Sequence, residues 1–509
     1  MVTAASTPPS PERLSSLNPA TGEVVGSVPV HTAADVDAAV ARARIAGERW
    51  AALSFAARAE EMARFRRALA THADELAELM HRENGKPLLE AYVEVMMSIG
   101  HVQHAAARAE VALAPKKVSS GVLANFRARV SYHPLGVVAV IGPWNYPLNT
   151  PMGSIAYALA AGNAVVFKPS ELTPLIAVKL AEIAATAFAL PDLLQVVTGG
   201  GATGAALAKA AVDKIAFTGS AATGKRVMMA ASERLTPVLL ELGGKDPMIV
   251  ADDADLDRAA EAAVYGALTN AGQACVSVER IYVADAVHDR FVDAVVEHVR
   301  ALKVGGDAPD LGAMTSPAQV AIVKDHLEDA ISKGARALTG GAAAIRGSYI
   351  QPTVLVDVDH RMKVMTDETF GPVIPIQRVG SVDEAIQLAN STSYGLGSAV
   401  FAGKAARSIA DRLRAGMTSI NSVMAFAGIQ SLPFGGIGDS GFGRIHGDEG
   451  LREFSRVKST AEQSFSLPMN LMSFKQPADI TTKVKGMIQT LYGEGVVARA
   501  GDVWRKLRS

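Results

Sequence analysis

Cys275 is the residue of this chain with the clearest potential for chemistry, and it is the only cysteine in 509 residues. A lone cysteine is most often a small buried hydrophobic side chain. Here Gly272 and Ala274 leave room for a ligand beside the sulfur, and the segment changes from polar to strand-like residues at 280–283. A residue at such a junction is better placed for catalysis than one in a core. Because the thiolate is the nucleophile, a reactive Cys275 needs a base, a cation or a helix N-terminus nearby.

Two other motifs come close to catalytic signatures and fail. Residues 219–225 nearly match the phosphate-binding loop of NTPases, but Arg226 stands where a Ser or Thr must hold magnesium. That loop follows a predicted strand and opens a predicted helix, so phosphate binding at a helix N-terminus stays open. Ser440 and His446 could suggest a serine hydrolase, but Phe442 occupies the last glycine position of the G-x-S-x-G motif. No His or Cys cluster has metal spacing, and we expect no metal site.

The elements that must position these residues alternate between short strands and Ala-rich helices. Five apolar runs each predict a buried parallel strand: 136–141, 164–167, 194–197, 214–217 and 237–240. This alternation is typical of βαβ units and predicts an α/β fold with a Rossmann-like, doubly wound parallel sheet. Ligands of such a sheet bind beyond the carboxyl ends of its strands. The sheet lacks the G-x-G-x-x-G fingerprint after its first strand, so the pattern indicates a nucleotide without naming it.

The flanking segments predict further elements. A capping box at Thr32 and Asp35 predicts the start of a helical region that runs to about Leu113, with a break at 83–87. A second alternation from Met248 to about residue 401 predicts a second α/β domain.

The tail beyond Leu467 contains apolar residues at helical spacing: Ile480, Val484, Met487, Ile488 and Leu491. We expect this stripe to dock on the protein's own oligomer. A peripheral membrane helix usually carries more basic residues, so membrane association is not expected.

The composition excludes several classes of protein. The formal net charge of −1 removes any electrostatic argument for nucleic-acid binding. One cysteine excludes an intrachain disulfide framework and fits a reducing compartment. The first eleven residues lack the pattern of a signal peptide and predict a disordered lead-in. No apolar stretch reaches the roughly 18 residues of a spanning helix. We therefore expect a cytoplasmic protein.

Seven short motifs occur in one order along the chain. They are Trp144-Asn145-Tyr146-Pro147, Lys168-Pro169-Ser170-Glu171, Phe217-Thr218-Gly219-Ser220, Glu241-Leu242-Gly243-Gly244-Lys245, Gly272-Gln273-Ala274-Cys275, Glu368-Thr369-Phe370-Gly371-Pro372 and Pro433-Phe434-Gly435-Gly436. Together they resemble the aldehyde dehydrogenase superfamily from about Asn18 to about Phe454. The Trp-Asn-Tyr-Pro form is nearer to class 3-like members than to class 1/2 enzymes. Gly438 departs from the pattern, since many relatives carry a Lys there.

The resemblance implies three catalytic residues. Cys275 resembles the nucleophile that attacks an aldehyde carbonyl to give a thiohemiacetal. The Asn145 amide and the backbone N–H of Cys275 resemble the donors that stabilise the oxyanion. Glu241 resembles the general base that activates water to hydrolyse the thioester.

The resemblance also implies a coenzyme site for NAD, with NADP possible. Lys168 and Glu171 would bind the adenosine ribose, Ser220 would face the pyrophosphate, and Glu368 would hold the nicotinamide ribose beside Phe370. The full set of predicted coenzyme residues is Pro143, Trp144, Lys168, Ser170, Glu171, Gly200, Gly219, Ser220, Leu242, Glu368 and Phe370.

The same resemblance implies a division of the chain. We expect an NAD(P)-binding domain at 1–117 and 137–242 and a catalytic domain at 243–435. Oligomerisation strands are expected at 118–136 and 453–468, with a C-terminal tail at 469–509. Strands that leave the main domains should pair with another subunit, so we expect a homodimer or homotetramer.

The sequence thus predicts a non-acylating, NAD(P)-dependent aldehyde dehydrogenase. Tyr146, Phe426 and Phe434 are the predicted substrate residues, and the absence of a side chain at Gly153 predicts a wide funnel. We expect an uncharged aliphatic or aromatic aldehyde as substrate, because a charged one would need a partner such as Arg. The alternatives are a succinate-semialdehyde dehydrogenase, a CoA-acylating relative, and a catalytically silent protein on the same fold.

Overall fold

The computed structural model describes residues 12–467 and 471–493, which form two compact units. Among the described residues, the large unit comprises those up to Ala114 and the stretch Tyr132–Arg456. The small unit comprises Pro115–Ser131 and the described residues from Val457 onward. The predicted lead-in and the last part of the predicted tail, from residue 494, lie outside the described residues.

The first sheet of the large unit contains six strands. In spatial order they are Gly441–Phe442, Val238–Glu241, Lys214–Thr218, Val137–Ile141, Ala164–Lys168 and Leu194–Val196. The five predicted strands are confirmed within one or two residues, and they pair in parallel. The strand Gly441–Phe442 was not predicted, and it pairs antiparallel with the strand that ends at Glu241.

Helices and a hairpin pack around this first sheet. The helices between or after its strands are Asn149–Ala160, Leu175–Ala187, Gly201–Lys209, Ala221–Ser232 and Gly447–Glu453. Before the sheet come the hairpin strands Arg13–Leu17 and Val24–Pro29 and the helices Ala33–Ala51, Phe55–Thr71, Ala73–Asn84 and Leu88–Leu113. The capping box of Thr32 and Asp35 is confirmed, since each residue's side chain accepts a hydrogen bond from the other's backbone N–H.

The second sheet of the large unit contains seven strands. In spatial order they are Arg336–Ala337, Thr353–Val356, Val373–Val379, Val278–Ala284, Asp246–Val250, Ala399–Phe401 and Ser419–Ile420. All neighbours are parallel except the first pair. A small hairpin joins Ile345–Arg346 to Tyr349–Ile350. The helices that accompany the second sheet are Leu256–Leu268, His288–Ala301, Pro317–Ser332, Lys363–Thr366, Val382–Ala389, Ala406–Ala410 and Ala425–Gly428. The predicted second α/β region is therefore confirmed.

Most of a three-stranded sheet and one helix lie in the small unit. The strand Phe126–Pro134 lies between Lys116–Val118 and Ser455–Gln463, and the helix is Ile480–Tyr492. Within the predicted stretch 118–136, a loop at 119–125 separates the end of Lys116–Val118 from Phe126–Pro134. The predicted helical stripe beyond Leu467 is confirmed as a helix with no buried residue. None of the helices among the described residues combines the length and apolarity needed to cross a bilayer.

Candidate active site

A cavity of about 600 Å³ lies in the large unit, beyond the carboxyl ends of the first sheet's strands. The structure brings most of the predicted site residues together around it, although their motifs are far apart in sequence. The predicted residues that line it are Pro143, Trp144, Asn145, Lys168, Ser170, Glu171, Gly219, Ser220, Glu241, Leu242, Cys275, Glu368 and Phe370. Gly200 is not among the lining residues, but it directly precedes the helix that begins at Gly201, which lines the cavity.

The loop that carries Cys275 has an unusual backbone. Asn270 and Ala271 both adopt left-handed conformations, with φ of 51° and 55°. Gly272 follows with φ of 74°, and a Cβ on it would lie 2.2 Å from the carbonyl oxygen of Gly371. Only glycine allows this approach. The loop is therefore pressed against the segment that contains Phe370, and Cys275 itself is half-buried.

The Cys275 thiol lies in an environment that opposes ionisation. Burial raises its pKa well above the ordinary value, and the nearby carboxyls of Glu368, Asp246 and Glu241 raise it further. These surroundings favour the neutral thiol over the thiolate, so nucleophilic attack requires loss of the thiol proton.

Asn145 contacts the nucleophile's loop directly. Its Nδ2 donates to the carbonyl oxygen of Gln273 at 2.9 Å, and its own carbonyl oxygen accepts from Nδ2 of Asn270 at 2.9 Å. These bonds place the Asn145 amide beside the Cys275 loop at the wall of the cavity.

The loop that contains Asn145 contacts a buried ion pair that the sequence analysis missed. Lys86 donates to the carbonyl oxygen of Asn145 at 2.9 Å and contacts Glu94. Oε1 of Glu94 accepts from the backbone N–H groups of Leu148 and Asn149 at 2.9 and 3.0 Å. No local pattern in the sequence marks Lys86 or Glu94 as buried, since charged side chains are usually solvated.

Glu241 ends the strand Val238–Glu241 and is 3% exposed. Neither carboxyl oxygen has a hydrogen-bond partner among the described residues. Burial raises its pKa well above the ordinary value, while Arg444 acts in the opposite direction. A Cβ on Gly435 would lie 2.8 Å from Oε1 of Glu241, so that glycine leaves room for the carboxyl. A buried carboxyl without partners is expected of a proton acceptor rather than of a structural residue.

One end of the cavity is built for a charged group. Nζ of Lys168 lies 3.4 Å from Oε2 of Glu171. Ser220 caps the helix Ala221–Ser232 by accepting from Thr223 N, and the start of that helix lines the cavity. A Cβ on Gly201 would meet nothing within 4 Å. The open space and the helix N-terminus fit the pyrophosphate of a dinucleotide.

Glu368 and Phe370 line the same cavity as Cys275. Oε1 of Glu368 accepts from the backbone N–H of Gly244 at 3.1 Å, and burial raises the pKa of Glu368 to about 8. The ring of Phe370 meets the ring of Trp144 edge-on, with centroids 5.5 Å apart. These groups fit a ribose and a flat ring next to the nucleophile.

The predicted substrate residues lie outside the lining of this cavity. The rings of Phe426 and Phe434 are 6.4 Å apart in the buried core, and Phe434 lies 5.2 Å from the ring of His446. The prediction that Gly153 widens the funnel is wrong. A Cβ on Gly153 would lie 3.0 Å from Nε2 of His446 and 3.0 Å from Ile445, so these side chains already fill the space.

Tyr146 is also outside the lining, and Nζ of Lys86 lies 4.1 Å from its ring centroid. Its ring therefore packs on the same ion pair that holds the Asn145 loop. The cation above its face is a favourable contact.

Comparison with known proteins agrees with this geometry. The sequence profile described as the aldehyde dehydrogenase family matches residues 6–460. The chain is 40% identical over 496 residues to the 4,4'-diapolycopene aldehyde oxidase of a Methylomonas species, covering 96% of this chain and 93% of that protein. It is also 40% identical over 450 residues to a Mycobacterium ulcerans protein named as an NADP(+) succinate-semialdehyde dehydrogenase, covering 87% of each.

A solved structure shares the fold. The NAD-dependent aldehyde dehydrogenase of Sinorhizobium meliloti superposes with a TM-score of 0.87 at 34% identity, covering 91% of this chain and 93% of that one. The cavity, the half-buried cysteine and the sequence matches over nearly the whole chain lead to one conclusion. This chain belongs to the aldehyde dehydrogenase family and is an oxidoreductase that acts on aldehydes with NAD or NADP.

Proposed function

We propose that this enzyme oxidises uncharged, apolar aldehydes to carboxylic acids through a covalent intermediate on Cys275 that Glu241-activated water hydrolyses. One observation carries the proposal: Cys275, Asn145 and Glu241 line one cavity, and both oxygens of Glu241 are free to accept a proton.

The first step is the attack of Cys275. The proton of the half-buried Cys275 thiol passes to solvent water, and Sγ adds to the aldehyde carbon. The carbonyl π electrons move onto oxygen, and the Asn145 amide and the Cys275 backbone N–H donate to that oxyanion. The product is a thiohemiacetal.

The second stage releases the acid. NAD(P), when bound, supplies the acceptor for the hydride that the thiohemiacetal carbon loses, which leaves a thioester on Cys275. Glu241 takes a proton from water as the water oxygen adds to the thioester carbon. The C–S bond breaks, Cys275 leaves as a thiolate, and the carboxylic acid is free. A CoA-acylating reaction would not need a carboxyl like Glu241 in this place.

We assign the coenzyme residues to the two halves of the dinucleotide. Lys168 and Glu171 hold the adenosine ribose, and the helix that begins after Ser220 faces the pyrophosphate. Glu368 holds the nicotinamide ribose, and Phe370 lies beside the ring. The exposed position and negative charge of Glu171 favour a ribose 2′-OH over a 2′-phosphate.

The charges around the site support an apolar substrate. Among the described residues that line the cavity, the cations are Lys168 and Arg226, from the coenzyme-binding segments. Arg280 donates to the carbonyl oxygens of Lys245 and Ala389, and Arg444 to those of Gly436 and Gly443. Arg280 is therefore not free to pair with a substrate carboxylate, and Arg444 does not line the cavity. The Methylomonas relative is named as an oxidase of 4,4'-diapolycopene aldehyde.

Succinic semialdehyde is the second candidate substrate, because the Mycobacterium relatives are named for it. An aldehyde panel with NAD and NADP, followed by absorbance at 340 nm, separates the two. We expect kcat/KM to rise along straight-chain aldehydes, since each buried methylene contributes up to about 0.8 kcal/mol. A kcat/KM for succinic semialdehyde well above those of octanal and benzaldehyde would contradict the apolar assignment.

Assembly and domain roles are part of the same proposal. We assign coenzyme binding to 1–117 and 137–242 and catalysis to 243–435. The strands at 118–136 and 453–468 then join subunits into a homodimer or homotetramer in the cytoplasm. The residues of Ser455–Gln463 are almost all exposed, and an exposed edge strand favours pairing with another chain. Sedimentation equilibrium of the full chain measures the subunit number.

A further inference from the structure

Glu279 is a buried carboxylate that the proposed reaction does not use. It lies in the strand Val278–Ala284, four residues after Cys275, and its side chain is 6% exposed. Nζ of Lys245 lies 2.6 Å from Oε2 of Glu279, and the Lys245 side chain is not exposed at all. A buried ion pair loses much hydration and adds little net stability, so stability alone does not explain the pair.

Both oxygens of Glu279 bind the backbone of the segment 368–370. Oε1 accepts from the N–H of Phe370 at 2.8 Å, and Oε2 accepts from the N–H of Thr369 at 2.8 Å. Lys245 donates in addition to Oγ1 of Thr369 at 3.2 Å. Hydrogen bonds to a charged group are stronger than neutral ones. Glu279 and Lys245 therefore fix the backbone of Thr369 and the start of Phe370.

The fixed segment is strained. Phe370 has φ of 52°, in the left-handed region that bulky aromatic residues avoid. Such a conformation is stable only where several separate contacts hold it. Glu279 supplies two of those contacts, and Gln319, whose Nε2 donates to the carbonyl oxygen of Thr369 at 2.8 Å, supplies another.

The segment forms part of the coenzyme end of the site. Glu368 and Phe370, on either side of Thr369, both line the cavity with Cys275. Glu279 belongs to the stretch of chain that follows Cys275. A single carboxylate thus connects the nucleophile's strand to the segment assigned to the nicotinamide.

We propose that Glu279, neutralised by Lys245, is a positioning residue that fixes Glu368 and Phe370, and with them the nicotinamide end of the coenzyme, relative to Cys275. The inference rests on the proposed function, which assigns Glu368 to the nicotinamide ribose and Phe370 to the ring.

The test compares two isosteric variants at buried glutamates. Glu279→Gln keeps the side-chain size, but its amide offers only one acceptor oxygen to the two backbone N–H groups. Glu83→Gln is the matched control, since Glu83 is 1% exposed, accepts from the N–H groups of Leu175 and Ile176, and does not line the cavity. Both changes are made in full-length Cys275→Ala protein, so that coenzyme binding is measured without turnover.

Isothermal titration calorimetry with NAD and with ADP separates the contribution of the nicotinamide end to binding from that of the adenosine end. ADP lacks the nicotinamide and its ribose. Loss of a charge-assisted bond predicts that Glu279→Gln raises the Kd of NAD about tenfold or more, while the Kd of ADP changes less than about twofold. Glu83→Gln leaves both constants unchanged. Equal weakening of NAD and ADP by Glu279→Gln, or an unchanged NAD constant, overturns the proposal.

A second measurement uses the enzyme with Cys275 intact. We expect Glu279→Gln to increase the primary deuterium isotope effect on kcat for an aldehyde deuterated at C1. Glu279→Asp should return this isotope effect part of the way to the wild-type value. If Glu279→Gln is insoluble, Lys245→Gln must show the same contrast between NAD and ADP, or the proposal fails. A wild-type enzyme that oxidised no aldehyde of the panel would contradict the proposed function, while the binding contrast would still test this inference.

Discussion

The carbonyl oxygen of Cys275 lies against Gly244, where a Cβ would be only 2.6 Å away. Gly243, the preceding residue, is equally crowded, because a Cβ there would lie 2.2 Å from Oε2 of Glu368. These two glycines follow Glu241 and Leu242 at the end of the first sheet's strand. The missing side chains let the nucleophile's loop and Glu368 approach the backbone that carries the proposed base. The spacing from Glu241 to Gly243 and Gly244 is therefore required by packing as well as by the proposed chemistry.

Replacement of Cys275 by Ala is expected to lower kcat by roughly 10⁴-fold or more, since no other thiol can form the covalent intermediate. NAD binding should survive, because the substitution leaves the coenzyme end of the cavity intact. Steady-state rates at 340 nm and calorimetry with NAD measure the two effects. Appreciable turnover by Cys275→Ala would remove this residue from the nucleophile role.

Replacement of Glu241 by Gln should affect hydrolysis more than hydride loss. The amide cannot accept the proton of water, so the thioester on Cys275 should accumulate after one turnover. Rapid mixing with aldehyde and NAD should then give a burst of NADH, and intact-protein mass spectrometry should show an acyl adduct. If the variant forms neither NADH nor adduct, Glu241 acts before the thioester and not on the water.

The raised pKa of Cys275 predicts how its alkylation depends on pH. Burial and the carboxyls of Glu368, Asp246 and Glu241 all favour the neutral thiol, so the thiolate fraction should still be rising at pH 9. The rate of reaction with iodoacetamide should therefore increase up to pH 9 without a plateau. Removing one carboxylate charge in Glu241→Gln should move the profile to lower pH. A plateau near pH 7 in the wild-type protein would show that the thiol is activated without coenzyme.

The strands and helices around the site could be predicted because their patterns are local. Buried parallel strands read as apolar runs, and the capping box at Thr32 and Asp35 depends on residues three apart. The strand Gly441–Phe442 could not be predicted in this way. It contains two residues, lies in a glycine-rich run, and gains its strand partner Val238–Glu241 from a region about 200 residues earlier. Such pairing is a tertiary property.

The contacts that support the site could not be predicted from sequence patterns either. Charged residues on helices usually form a solvated face, so nothing local marks Lys86 and Glu94 as a buried pair. The space beside Gly153 is filled by His446, almost 300 residues away. The motif residues could be named from resemblance, whereas the groups that hold them depend on which distant segments meet.

Glu171 is expected to set part of the coenzyme preference. Its carboxylate, half exposed and 3.4 Å from Lys168, should repel a 2′-phosphate. Glu171→Ala should raise kcat/KM for NADP relative to NAD by about tenfold, which corresponds to about 1.4 kcal/mol. Glu182→Ala is the control, because Glu182 is exposed and lies outside the cavity lining. An unchanged ratio would place Glu171 away from the 2′ position.

Lys86→Met should destabilise the protein strongly. The substitution leaves Glu94 charged and without its cation in a place where neither side chain is exposed, and loss of one member of a buried pair costs roughly 3–5 kcal/mol. The double variant Lys86→Met/Glu94→Gln should recover much of this loss. The glutamine removes the charge but keeps an oxygen that can accept from Leu148 N and Asn149 N.

Urea unfolding of the full-length variants measures these changes. Lys324→Met is the control, since Lys324 pairs with Glu328 on the surface and both side chains are more than half exposed. An exposed pair contributes about 0–1 kcal/mol, so this variant should stay close to the wild type. If the double variant were no more stable than Lys86→Met, the charge of Glu94 would not be the cause of the loss. The bond from Lys86 to the carbonyl oxygen of Asn145 would then be the main contribution of Lys86, and the Asn145 loop would depend on it directly.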